Sequence, residues 1–264
     1  MFEKLQTKKN EQEVREADFQ KNINQILKDI HYKYLSKIAD MEYENKFAYD
    51  FAGMLAALSR DSKQSFKDID NEKFAELLKK NDIKRVAEVG PGSDKSSMVL
   101  PLKPAFDSAG SELYVIQPLL DYTQDKFEAK GINVINKSAG RLENAKLNLD
   151  IIIAHRVFSI GGQAIAVNIE DCKNNIKKVT HSVLDLIHQF SDNPNALMVL
   201  FGGSIMVLDR SEIEKEAEVL CWKSFDNETD SMLKDSIRDM DELYLEKIYD
   251  NAPNFIVLKK KQKS

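Results

Sequence analysis

Two glycines stand one residue apart in the stretch RVAEVGPGSDKSS, which runs from Arg85 to Ser97. A short apolar run (Val86, Ala87, Val89) with one acid inside it, Glu88, leads into Gly90, Pro91 and Gly92. Polar helix-opening residues follow at Ser93, Asp94, Ser96 and Ser97. The pattern predicts a strand, a tight turn and a helix start. A glycine turn lets the backbone come close to a ligand, because no Cβ stands in the way. The helix start then offers unpaired N–H groups. A second chemical feature follows the apolar run from Asp150 to Ala154, where His155 and Arg156 place an imidazole and a guanidinium at a strand end. His155 there could serve as a general base. It could equally pack, or hydrogen-bond to a ligand without titrating. Arg156 could bind an acidic substrate group or pair with a carboxylate such as Glu170.

Other reactive side chains read as structural. His181 and His188 lie seven apart, on one face of an expected helix, with no third ligand type near them, so no metal site is expected. His31 sits in a long helical stretch, and Trp222 reads as a packing residue. Cys172 and Cys221 are far apart, and no Cys-x-x-Cys or Cys/His cluster suggests zinc. Two cysteines in 264 residues suit a reducing compartment.

The elements that must position these groups divide the chain in two. From Glu11 to about Glu44, apolar residues recur in steps of three and four (Phe19, Ile23, Ile26, Leu27, Ile30, Tyr34, Ile38, Met41). Further helices are expected over 46–58 and after the capping residues Asp68 to Asn71. Residues 1–80 are therefore expected to form a helical cap or extension. Its Tyr32, Tyr34, Tyr43, Tyr49 and Phe51 could line a pocket or pack between helices. Beyond Lys84, strands are expected at 86–89, 113–116, 132–135, 150–154 and 196–201. Helices are expected between them, the one from about Asp94 being short because of Pro101 and Pro104. One helix should close at Gly131, and another should run from 169 to 190. A capping box at Ser211 and Glu214 should open a helix to Leu220. Two final strands, 243–249 and 255–258, should form an antiparallel hairpin. Alternating strands and helices mean an α/β fold, a doubly wound and mostly parallel sheet over 81–264. Ligands of such sheets bind at the carboxyl ends of the strands.

Composition narrows the partners. A net charge of −5 and a pI near 5.6 argue against a general nucleic-acid binder, which needs a basic field. The basic tail Lys259–Lys263 reads as a solvated end. No apolar run approaches the roughly 20 residues of a membrane span, and residues 1–30 hold no signal-peptide core. A cytoplasmic protein is expected. A homodimer could use the apolar faces of the amino-terminal helices.

Residues 85 to 258 resemble the class I S-adenosylmethionine-dependent methyltransferases. EVGPGSD is similar to that family's first motif, acidic–x–Gly–x–Gly. LDIIIAHRVFS resembles its fourth-strand motif, and a terminal hairpin after the fifth strand is also the family's ending. The resemblance implies a seven-stranded Rossmann-like sheet, S-adenosylmethionine as cofactor and a small or medium-sized methyl acceptor. By this resemblance Glu88 would orient the loop and attract the cofactor's amino group, and Gly90, Pro91 and Gly92 would lie under its methionine portion. Gln117 and Pro118 would face the ribose, and Ser138 and Ala139 the adenine. His155 and Arg156 would flank the methyl group.

Two positions depart from the family. Gln117 stands where an acid usually grips both ribose hydroxyls, and Ser138 where an acid often pairs with the adenine amino group. A glutamine carbonyl can accept a hydrogen bond there, but without charge, and charge-assisted bonds are about twice as strong. These two residues favour a second expectation, a methyltransferase-fold binding or scaffolding protein without catalysis. A dinucleotide site is disfavoured, because Lys95 stands where G-x-G-x-x-G needs its third glycine and 117 is not acidic. No Asp/Asn-Pro-Pro-Tyr follows the fourth strand, which weighs against methylation of an amide or base nitrogen.

Overall fold

The computed structural model describes residues 2–29, 46–59, 65–67, 69–118, 121–143, 145–155, 157–158, 169–202, 206–224 and 252–262. Among the described residues three helices come first: α1 (Phe2–Asp29), α2 (Lys46–Leu58) and α3 (Asn71–Lys80). Alternation follows with β1 (Arg85–Val89), α4 (Val99–Ala109), β2 (Glu112–Ile116), α5 (Asp121–Glu128) and β3 (Asn133–Ile135). Then come β4 (Ile151–His155), α6 (Ile169–Ile187), β5 (Leu197–Phe201), α7 (Arg210–Glu216), β6 (Ala217–Lys223) and β7 (Phe255–Lys260). Single 3-10 turns lie at Asp94–Ser96 and Ala139–Arg141.

The seven strands form one sheet in the order β3-β2-β1-β4-β5-β7-β6. The first five are parallel, and β7 runs antiparallel between β5 and β6. This is the doubly wound, mostly parallel sheet that the alternation implied, with the seven strands that the resemblance implied. Strands buried on both faces carry continuous apolar runs, as in Ile151–Ile153 and Leu197–Phe201.

Each face of the sheet has its own core. On one, Val86, Val115, Ile153, Val199 and Val257 pack with Ile23 and Ile26 of α1, Phe51 and Leu55 of α2, Leu78 of α3 and Phe106 of α4. Phe51, Phe74 and Phe106 link three helices edge to face, with centroids 5.1 and 5.6 Å apart. On the other face, Ala87, Ile152, Met198 and Leu258 pack with Val183 and Leu186 of α6 and Ile213 of α7. The helices of the first 80 residues thus share their core with the sheet. Gly53 of α2 makes the approach close: a Cβ there would meet Phe255 Cζ at 2.9 Å and Val199 Cγ1 at 3.0 Å. Polar contacts tie α1 to the far edge, where Arg15 pairs with Glu218 at 2.9 Å and Arg210 bridges Glu16 and Glu214. The guanidinium of Arg210 also lies over Trp222, which is buried as a packing residue. Among the described residues no helix is long and apolar enough to cross a membrane.

Several local expectations need correction. The helix after the glycine turn is not cut short: α4 runs to Ala109 with Pro104 inside it. Pro101 falls in the first turn, where an N–H needs no helical partner, and burial of Leu102, Ala105 and Phe106 holds the rest in place. The cap of α7 is Asp209, which accepts from the Ser211 and Glu212 amides, and not Ser211. That helix also stops at Glu216, and the next residues form β6, which pairs with β7. Both sides of β7 are thereby taken, by β5 and by β6. Residues 243–249 and 30–45 lie outside the described residues, as does Asp68. Asp70 alone is seen capping α3, by accepting from the Lys73 amide at 2.9 Å.

The Gly53 contact yields a first prediction. Gly53→Val must push α2 off the sheet, and overpacking of this kind costs about 1–3 kcal/mol. A fall of that size in urea unfolding free energy is expected, and an unchanged midpoint would contradict the close approach.

Candidate functional site

At the carboxyl rim of the sheet, Val89 stands opposite Ile116 of β2 on one side and Ala154 of β4 on the other. The next residue of each strand is therefore abreast of its neighbours: Gln117, Gly90 and His155, on strands about 4.8 Å apart. Strand order reverses between β1 and β4, which is where doubly wound sheets open a crevice for ligands.

Gly90 and Gly92 both adopt left-handed backbone, with φ of 64° and 76°. The Gly90 amide donates to Ile116 O at 3.0 Å. The Gly92 amide donates to Gln117 Oε1 at 2.8 Å, and Pro91 between them is buried. A Cβ on Gly92 would meet nothing within 4 Å, so this side of the turn is open. Gly90 is covered. A Cβ there would lie 2.6 Å from Val157 Cγ2, which the chain beyond β4 folds back over the turn. Gln117 is buried, and its carbonyl is already engaged by Gly92. That bond uses one of the carbonyl's two lone pairs, so Gln117 keeps one acceptor position beside its NH2 group.

Beneath the turn lies Glu88, only 1% exposed. Its carboxylate accepts from Ser97 Oγ at 2.5 Å and from the Met98 and Val99 amides at 2.8 and 3.4 Å. It thus occupies the N-terminus of α4, where the helix dipole favours negative charge. Burial pushes its pKa up to about 7, opposed by the Met98, Ser97 and Val99 hydrogen bonds and assisted by the Asp50 carboxylate.

His155 makes the contact that sequence reasoning missed. Its Nδ1 lies 2.7 Å from Asp50 Oδ2, and the Asp50 side chain on α2 is wholly buried. Burial raises the Asp50 pKa, and the hydrogen bond and charge of His155 counter that rise. Phe201, paired with His155 across β4 and β5, faces the ring at 5.3 Å and is stacked by Tyr49 at 5.1 Å. A signal for Asp50 did exist. It is the only acid in the apolar helix KFAYDFAGMLAAL, and it falls beside Phe51 and four before Met54, on the buried stripe.

The remaining expected residues are more dispersed. Pro118 is exposed at the end of β2. Ser138 is half-buried and precedes the 3-10 turn, where Ala139 joins the core with α6. Arg156 lies outside the described residues, as do Tyr32, Tyr34 and Tyr43. Of the other aromatics proposed to line a pocket, Phe51 is fully buried in the helix–sheet core.

No family model matches the chain, and no curated protein matches it. Solved structures resemble it. The SAH-bound methyltransferase PaMTH1 of Podospora anserina shares 10% identity and a TM-score of 0.35, over 80% of this chain and 88% of that one. The MccD protein shares 10% identity and a TM-score of 0.34, over 72% and 97%. PH0226 of Pyrococcus horikoshii OT3 shares 10% identity and a TM-score of 0.32, over 70% and 86%.

The state of Glu88 predicts a pH dependence. Its ordinary value is 4.5 and its folded value about 7, so between them the native state holds a proton that the unfolded chain has lost. The stability from protonated Glu88 is complete below the unfolded value and is lost as pH rises through the folded one. Relative to Glu88→Gln, the parent should lose about 3 kcal/mol between pH 4.5 and 8, at 1.36 kcal/mol per unit. Urea unfolding of both proteins across that range tests this, and parallel profiles would contradict a neutral, buried Glu88.

Proposed function

We propose that the protein is an S-adenosylmethionine-dependent methyltransferase acting on a small or medium-sized acceptor. One observation carries this reading. A two-glycine turn over a buried carboxylate stands at the sheet's switch point, with His155 of the adjoining strand held by Asp50 of α2.

The residues fit the cofactor at three points and crowd it at one. The open side of Gly92 leaves room for a chain lying against the backbone. Glu88 and Asp50 are carboxyl groups whose burial resists ionisation, and a bound ammonium or sulfonium above them would favour their charged forms. The Gln117 NH2 group can donate to a ribose hydroxyl oxygen. The crowded point is Gly90, where Val157 must swing aside. Ser138 and the Ala139 backbone are the proposed adenine neighbours, Pro118 flanks the ribose, and Arg156 would stand near the acceptor.

When bound, the cofactor supplies an activated methyl group that is displaced in line by the acceptor's nucleophile. The chain's own part is to position that acceptor and manage its proton. Asp50 holds Nδ1 of His155 and sets the tautomer, which leaves Nε2, itself a buried atom, as the ring nitrogen to take a substrate proton. Phe201 and Tyr49 form an apolar wall beside the ring, which limits water there.

A second reading, a binding or scaffolding protein on the same fold, is favoured by the neutral Gln117 and by Val157 over Gly90. Calorimetry with S-adenosylmethionine and S-adenosylhomocysteine separates the two. The enzyme reading expects micromolar binding, abolished by Gly90→Arg. Val157→Ala should tighten it roughly fivefold, the equivalent of about 1 kcal/mol of side-chain rearrangement. His155→Gln should leave cofactor affinity within about threefold, since the imidazole serves the acceptor. A folded sample that binds neither ligand, with Val157→Ala equally silent, would favour the scaffolding reading.

A further inference from the structure

Away from the rim, the 3-10 turn Ala139–Arg141 packs against α6 so closely that a Cβ on Gly140 would meet Ser182 Oγ at 2.8 Å. Three metal-binding side chains converge at this junction. Glu143 follows the turn, and His181 and Asp185 stand one helical turn apart on α6. His181 Nε2 is 4.0 Å from Glu143 Oε1 and 3.9 Å from Asp185 Oδ1, and one ligand atom from each residue lies within 4.8 Å of the others. The sequence placed no third ligand near His181, because Glu143 arrives from another element and only the fold brings it there. His188 goes elsewhere and faces Glu216 at 3.8 Å.

The second observation concerns Asp185. Its side chain is 4% exposed, while those of His181 and Glu143 are each 60% exposed. The buried Oδ2 has no hydrogen-bond partner among the described residues. A buried carboxylate oxygen without a partner is costly unless a positive charge compensates it. Here its own second oxygen already faces an imidazole and another carboxylate, the donor set that borderline divalent ions choose. The ligand atoms stand slightly wider than metal bonds of about 2.0–2.2 Å require. Two of the three side chains are exposed and can close that gap by rotation.

We propose that Glu143, His181 and Asp185 form a divalent transition-metal site, with zinc as a fitting ion. The ion takes one imidazole nitrogen and two carboxylates, and water completes the shell. It fastens the segment after β3 to α6, and through Ser138 and Ala139 it steadies one wall of the crevice. The site is independent of the methyltransferase reading.

The test uses the full chain, stripped with a chelator and desalted, and zinc sulfate as probe. Calorimetry should find one tight site per chain, and zinc should raise the thermal midpoint by mass action. Glu143→Gln and His181→Ala, both exposed and so expected to fold, should each weaken binding by at least the roughly 10- to 100-fold that follows disturbance of a metal's supporting shell. His188→Ala should change nothing. No saturable binding would overturn the proposal. So would binding that survives the Glu143→Gln, His181→Ala double variant, or binding that His188→Ala removes.

Discussion

A carboxylate with no exposed surface cannot stand alone, and Asp50 is such a group. It sits on a helix whose neighbours are phenylalanine, alanine, methionine and leucine, and it meets the sheet at a single hydrogen-bonding group, the imidazole of His155. Breaking a buried pair of this kind typically costs about 3–5 kcal/mol, while swapping both members for apolar residues is often neutral. The pair therefore contributes position more than net stability. It sets how far along the sheet α2 can slide, because Asp50 must reach the last residue of β4. It also fixes the ring of His155 at the rim, where a freely rotating imidazole would otherwise be expected. Gly53, three residues on, allows the close approach that brings the two groups within 2.7 Å.

Electrostatics at the rim follow from the same placement. Asp50 and Glu88 lie under one face of β1 and β4, and the Asp50 charge raises the cost of ionising Glu88. The N-terminus of α4 and its three donors partly offset that cost at Glu88. The crevice thus holds two ionisable carboxyls at its floor and a neutral amide at Gln117. A ligand with a cationic end and a neutral sugar would find its attraction displaced toward the cationic end. The usual acid at the end of β2 and the acid of β1 are not interchangeable in this respect, since one grips hydroxyls and the other balances charge.

Patterns local to one element were legible in the sequence. The amphipathic helices, the glycine turn, the five parallel strands and the cap at Asp70 all follow from spacing and residue type within a dozen positions. Features set by distant partners were not. Ala217–Lys223, AEVLCWK, mixes helix formers (Ala217, Glu218, Leu220, Lys223) with Val219, Cys221 and Trp222, and it continues a helix in sequence. It becomes a strand because β7 offers an unpaired edge and because Val219 and Trp222 gain a buried face. The 3-10 turn and α6 bring Glu143 to His181, and no periodicity relates those positions. Asp50 falls between these cases. An acid on the buried stripe of a helix announces that a partner exists, but not that the partner lies at the end of β4. Pro104 misled for a related reason, since tertiary burial of Leu102 and Phe106 outweighs a local break.

Whether the crevice accepts a nucleoside turns on two opposing magnitudes. Moving the Val157 methyls off Gly90 costs about 1 kcal/mol, the scale of an unfavourable rotamer. Losing a charged acceptor at position 117 costs about 1–1.5 kcal/mol, the difference between charged and neutral hydrogen bonds. Their sum, roughly 2–2.5 kcal/mol, is a factor of about 30 to 70 in a dissociation constant. On the proposed reading, that handicap would weaken the site without abolishing it, because burying an adenine and a methionine chain would yield several times as much at about 25 cal/mol per Å². Val157 is also 37% exposed, so its displacement opens no hole in the core. The crowded glycine is therefore a modest tax on affinity, and the neutral glutamine is of the same order. Neither is large enough to turn a binding crevice into a closed surface.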